Sequence, residues 1–158
     1  MRLKNKVALI TGGSTGIGKA ITEIFVKEGA KVTIADINKV QGRKTARENK
    51  CLFVFCDISN ENHVEIALNS TISSYGKIDI LVNCAANLGG PNNVVNITTK
   101  EWRDVLSVSL DGVFYCSKHI MPELIKAGSG SIINISSVEG MLLSLIHISE
   151  PTRRTPIS

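Results

Sequence analysis

The chain has 158 residues, of which 43% are hydrophobic and 20% charged, and its formal net charge is +4 at pH 7. That length supports one domain with an ordinary core and leaves no room for two. Its basic residues fall in short runs (KNK, GRKTAR, TRR) that read as solvated surface, and no apolar run approaches a membrane span, so neither nucleic acid nor membrane is an expected partner.

The four cysteines, Cys51, Cys56, Cys84 and Cys116, contain no CxxC pair, and the three histidines show no ligand spacing. Small buried thiols in a reducing compartment are expected, with no metal site. The N-terminal apolar run in MRLKNKVALITGG is too short for a signal peptide and lacks a cleavage site, so a cytoplasmic location is expected.

In chain order, KVALIT reads as a first strand, β-branched-rich and nearly continuous, as in strands covered on both faces. It runs into ITGGSTGIGKA, with Gly12, Gly16 and Gly18 at the turn. Gly12 permits a tight turn, Gly16 lets a pyrophosphate approach the backbone, and Gly18 allows close helix packing. The following helix presents Ile17, Ile21, Ile24 and Phe25 on one face and ends at Gly29. Free amides in its first turn, with the helix dipole behind them, suit phosphate oxygens.

The second strand, KVTIAD, ends in Asp36, where a carboxylate can accept from both ribose hydroxyls of an adenosine. It would repel a 2′-phosphate by roughly 4 kcal/mol for unit charges about 4 Å apart at an effective dielectric of 20, which favours NAD over NADP. Thr15 supplies no cation to offset that repulsion.

The next segment, NKVQGRKTAREN, is polar and contains a glycine, so little periodicity marks it as a helix. CLFVFCD is the third strand. Val64, Ala67, Leu68 and Tyr75 then mark a helix that stops at Gly76, before DILVNCA as the fourth strand. Thr98 and Glu101 have capping-box spacing. From there Trp102, Val105, Leu106, Ser109, Gly112, Val113 and Cys116 share a stripe, and Pro122 should kink or end the helix. SIINIS is the fifth strand. Strands alternating with helices across short loops imply a doubly wound parallel sheet in three α/β/α layers.

These residues together resemble the classical short-chain dehydrogenases/reductases. TGGSTGIG matches that family's cofactor turn, CDIS its adenine-contacting element, LVNCAAN its NNAG strand end (with Cys84 and Ala86 replacing an asparagine and the glycine), and INISS the strand carrying its catalytic serine. The resemblance implies a Rossmann-like fold with sheet order 3-2-1-4-5, truncated after the fifth strand. It implies NAD held by Gly12, Ser14, Gly16, Ile17, Gly18, Asp36, Asp57, Ile58, Asn83 and Ala85, with Ser137 as catalytic serine. The reaction implied is hydride transfer between nicotinamide and a secondary alcohol or ketone, by a full-length protein that is a dimer or tetramer. A non-catalytic, NAD-sensing module is the alternative.

Two departures stand out. Ser109 occupies the position of the family's relay asparagine; its stripe points it towards the sheet, where it either holds a water or merely packs. The family's Tyr-x-x-x-Lys pair, due near Glu150 and Arg154, is absent, since no tyrosine follows Tyr115 and no lysine follows Lys126. LSLIHISEPTR resembles the in-frame translation of a transposon-type sequencing adapter. The expected organisation is therefore an incomplete NAD-binding domain over 1–142 and a non-native tail over 143–158, with no dehydrogenase activity from the chain itself.

Overall fold

The computed structural model describes residues 1–90 and 95–137. Five strands, β1 (Val7–Thr11), β2 (Lys31–Asp36), β3 (Leu52–Phe55), β4 (Ile80–Asn83) and β5 (Ser131–Asn134), pair in parallel in the order β3-β2-β1-β4-β5. The chain steps outward from β1 to β3, then crosses back to start again at β4. Connections leaving β1 and β4 thus diverge, and a crevice opens at the carboxyl ends of these two neighbouring strands.

The helices are α1 (Gly16–Lys27), α2 (Lys39–Asn49), α3 (Glu61–Tyr75), α4 (Thr99–Leu106) and α5 (Gly112–Ala127), with a π-helical turn, Ser107–Asp111, between the last two. Alternation along each strand divides the core between the two faces of the sheet. Ala8, Ile10, Val32 and Ile34 meet the α1 and α2 side, whereas Leu9, Ala35 and Leu81 meet Val64 and Leu68 of α3 and Ile120 of α5. Each fully buried Ile, Leu or Val contributes roughly 1.5–3 kcal/mol.

The sheet is pinned at its amino-terminal edge by Asp79, 7% exposed, whose Oδ2 accepts from the Val7 amide at 2.8 Å and pairs with Lys77 at 2.9 Å. Lys6 lies 3.7 Å from its other oxygen. Burial alone would raise the Asp79 pKa; the Lys77 hydrogen bond, the Val7 amide and the two ammonium charges outweigh it and hold the carboxyl below its ordinary range.

Helix ends follow local chemistry. The capping box at Thr98 forms in full, with the Glu101 amide donating to Thr98 Oγ1 at 3.1 Å and the Thr98 amide to Glu101 Oε2 at 2.8 Å. Gly76 closes α3 in the left-handed region at φ +80°, and Gly29 follows α1 at φ +91°.

The weakly marked helix after β2 forms: Asn38 caps it, its side chain accepting from the Gln41 amide, and Gly42 lets it press against Phe53. Other expectations change. On α1, Ile17 and Ile24 are 64% and 53% exposed. Ile21 and Phe25 of the expected face do pack, partly buried, against the core together with Val26, and the fully buried positions are Gly18 and Thr22. Helix α5 runs through Pro122, anchored by buried Ile120 and Leu124 on either side. The expected boundary at Leu142 and the segment 143–158 lie outside the described residues.

Candidate dinucleotide-binding site

A cavity of about 1210 Å³ opens at the carboxyl ends of the strands. Each strand's outgoing loop supplies part of its wall: Gly12 and Thr15–Gly18 after β1, Asp36–Asn38 after β2, Cys56–Ile58 after β3, Cys84–Leu88 after β4, and Ile135–Ser137 after β5.

The glycine turn is shaped by close approach. A Cβ on Gly18 would lie 2.1 Å from the Gly12 carbonyl oxygen, and one on Gly12, itself at φ +66°, would lie 2.8 Å from Ala85 Cα. Gly16 faces open space at φ +52°. At the N-cap, Thr15 makes no side-chain capping bond, and the first turn of α1 carries no acidic residue. The first amides of α1 are thus left by side chains to point at the cavity, and nothing negative there competes with an anion. This cradle fits a diphosphate.

Thr11, the last residue of β1, clamps the site. Its Oγ1 accepts from the Cys84 amide at 3.0 Å and the Ala85 amide at 3.1 Å, joining the loops after β1 and β4. A buried threonine at the end of an otherwise aliphatic strand was the available signal.

Asp36 is 8% exposed and lines the cavity. Its Oδ1 accepts from the Asn38 amide at 2.9 Å, and its Oδ2 from the Ser14 amide at 3.1 Å and from the Ser14 hydroxyl. Ser14 itself is 1% exposed and does not reach the cavity wall. Asp57 folds its loop, its Oδ1 accepting from the Ser59 amide and hydroxyl at 3.0 and 2.7 Å. Ile58 is buried at the wall, and Gly112 of α5 packs on it so closely that a Cβ would sit 2.7 Å from its side chain.

Not every expected residue meets the cavity. Asn83 is buried beneath it, its Nδ2 donating to Asn134 Oδ1 at 2.8 Å across β4 and β5 while its Oδ1 has no hydrogen-bond partner. Ser137 lies on the wall beside Ser136. Ser109 does not point under the sheet as its stripe predicts; it is exposed, its hydroxyl 3.4 Å from the Asn87 amide and 3.3 Å from the Asn87 carbonyl. The π-helical turn, Ser107–Asp111, widens the helix at this point and breaks the 3.6-residue register of the stripe. Trp102, earlier on α4, is 53% exposed as well.

Burial raises all four thiols, Cys56 and Cys116 to about 12 and Cys51 to about 11, which disfavours the thiolate form. Among the described residues no cluster of His, Cys, Asp and Glu could hold a metal ion, and no helix is long and apolar enough to cross a membrane.

The short chain dehydrogenase family model matches residues 6–148. The chain is 41% identical over 137 residues to a mitochondrial borneol dehydrogenase of Lavandula x intermedia, covering 86% of this chain and 53% of that one. It is 37% identical to the 3-oxoacyl-[acyl-carrier-protein] reductase FabG of Thermotoga maritima, covering 89% and 59%. Among solved structures, 3-ketoacyl-(acyl-carrier-protein) reductase from Brucella melitensis complexed with NADH superposes with a TM-score of 0.84 at 34% identity, over 87% of this chain and 59% of that one. The chain therefore spans little more than half the length of these relatives. With a match of this extent and a sheet of this order, the chain belongs to the short chain dehydrogenase family.

Proposed function

We propose that the protein is an NAD-dependent oxidoreductase acting on a secondary alcohol or ketone, and that this chain is its dinucleotide-binding part. The observation that carries the reading is the joining, in one cavity, of an uncapped helix start with a buried carboxylate at the end of the neighbouring strand. The names of relatives, dehydrogenases and reductases, one of them complexed with NADH, support the class of reaction.

In this reading the first-turn amides of α1 bind the diphosphate and Asp36 binds the adenosine ribose. Ile58 and the Asp57 turn flank the adenine, with Ala85 and Asn83 shaping the loop opposite the glycine turn. A bound nicotinamide would supply the carbon that gives or takes the hydride. Ser137 would donate a hydrogen bond to the substrate oxygen as charge develops there. General acid–base help, typically worth roughly 10²–10⁴ in rate, needs a phenol and an ammonium that the sequence does not provide beyond Ser137. The 158 residues are accordingly proposed to bind the dinucleotide without turning over any alcohol.

NAD is the preferred cofactor because Asp36 would face a 2′-phosphate. The full-length protein is proposed to be cytoplasmic. Its assembly as a dimer or tetramer is proposed on Leu110, Phe114, Met121 and Ile125, exposed along the π-turn and α5. Titration of Asp36→Ala with NADH and NADPH tests the central assignment. Weaker NADH binding with relaxed discrimination is expected, and an unchanged preference would remove it.

A further inference from the structure

Resting on the reading of the cavity as the site of an alcohol or ketone oxidoreductase, we infer that its β4–β5 end takes an uncharged, apolar substrate. It excludes one that carries a carboxylate or phosphate beside the reacting carbon, such as a 2-hydroxy acid.

The cavity wall changes character along the sheet. Its two acids, Asp36 and Asp57, lie on the loops after β2 and β3. At the opposite end, where β4 and β5 finish and Ser137 stands, the wall carries Ala86, Leu88, Val108 and Ile135. Among the described residues, no Lys, Arg, His, Asp or Glu lines that end. Leu88 is 92% exposed and Ile135 is exposed too, so apolar surface is left open to an occupant. The polar groups of Asn87 are spent within the wall. Its side chain donates to the Asp104 carbonyl at 3.2 Å and accepts from the Gly89 amide at 3.0 Å, and Ser109 Oγ holds its backbone amide and carbonyl. Burial raises the Cys84 thiol, which disfavours a charge there as well. Ser136 and Ser137 add hydroxyls, which match a neutral carbonyl or hydroxyl oxygen. A pocket of this kind gains affinity from its apolar wall and orientation from its few polar groups. A carboxylate brought here would give up water and meet no cation, and a desolvated charge without a partner is costly. Selection against the anion is therefore by penalty.

The test loads the chain with NADH and measures, by ligand-observed NMR titration, the binding of methyl mandelate and of mandelate. Both are secondary alcohols with the same ring, and they differ in whether the neighbouring group is a neutral ester or a carboxylate. With the cofactor already reduced, an alcohol has no hydride acceptor, so binding alone is read. The ester is expected to bind at least about tenfold more tightly than the acid. Leu88→Lys and Val108→Lys, which place a cation at this end, should each cut that ratio severalfold by admitting the carboxylate. Leu88→Gln, polar but uncharged, should leave the acid excluded; a general disturbance of the wall would not follow charge in this way. Mandelate bound as tightly as its ester, or neither bound by a chain that holds NADH, would overturn the inference and leave the dinucleotide reading standing. A ratio that neither lysine changes would overturn the part given to the uncharged wall. No binding of NADH would overturn the underlying reading, and the inference with it. If Val108→Lys does not fold, Leu88→Lys, at an exposed position, decides.

Discussion

At the scale of single residues, the site is governed by what fits between backbones. Gly112 is the sharpest case, because it has no bearing on the chemistry and lies on α5, yet its missing Cβ sets how close that helix comes to Ile58 at the cavity wall. Gly112→Ala should cost about 1–3 kcal/mol by overpacking. It should also weaken NADH binding, because Ile58 has to move; thermal melting and a binding titration on the same sample check both. Thr33 predicts the opposite sign. Its hydroxyl is fully buried in β2 without a partner. Thr33→Val removes that unsatisfied group and should stabilise the chain by about 1 kcal/mol, read from denaturant midpoints. Asp79 adds a pH dependence. Its carboxyl, with an ordinary pKa of 3.8, is held lower in the fold, so its contribution is present above that value and is lost as pH falls through the lowered one. Asp79→Ala leaves the Val7 amide without its acceptor, which should cost about 1–3 kcal/mol near neutral pH and flatten the acid limb of the stability curve.

At the scale of elements, the strands and the glycine turn were legible because each is a local signal. Apolar runs 4–6 residues long mark β1 to β5, and the turn needs Gly12 and Gly18 for close backbone approach and Gly16 for its left-handed φ of +52°. The helices were legible where their ends carry chemistry, as at Thr98 with Glu101 and at Gly76. What stayed hidden depends on neighbours distant in sequence. Helix α2 has little apolar character of its own and forms because Asn38 caps it and Gly42 docks on Phe53. The fate of Ser109 was set by a π-helical turn that a regular 3.6-residue stripe cannot foresee. Within the site, the residues facing the cavity were readable from the motif, but the pairing of Asp36 with Ser14 was not, since the two lie 22 residues apart. Helix α2 ends on Lys50 in the left-handed region at φ 54°. Lys50→Gly should relieve that strain and raise stability by roughly 0.5–1 kcal/mol, measurable as a shift in melting temperature.

At the scale of the whole molecule, a parallel sheet covered on two faces gathers five loops at one end, and the two that diverge from β1 and β4 open the cavity between them. β5 forms the far edge, with Ile133 and Ile135 each 40% exposed and no further strand beside it among the described residues. Such an edge invites pairing with other chains. The account as a whole turns on whether this end of the sheet holds a dinucleotide and rejects the extra phosphate. Calorimetric titration of the unmodified chain with NADH and then with NADPH asks this directly. Binding at a single site with NADH clearly tighter than NADPH is the predicted result; no heat with either, together with a melting temperature that neither raises, would contradict it.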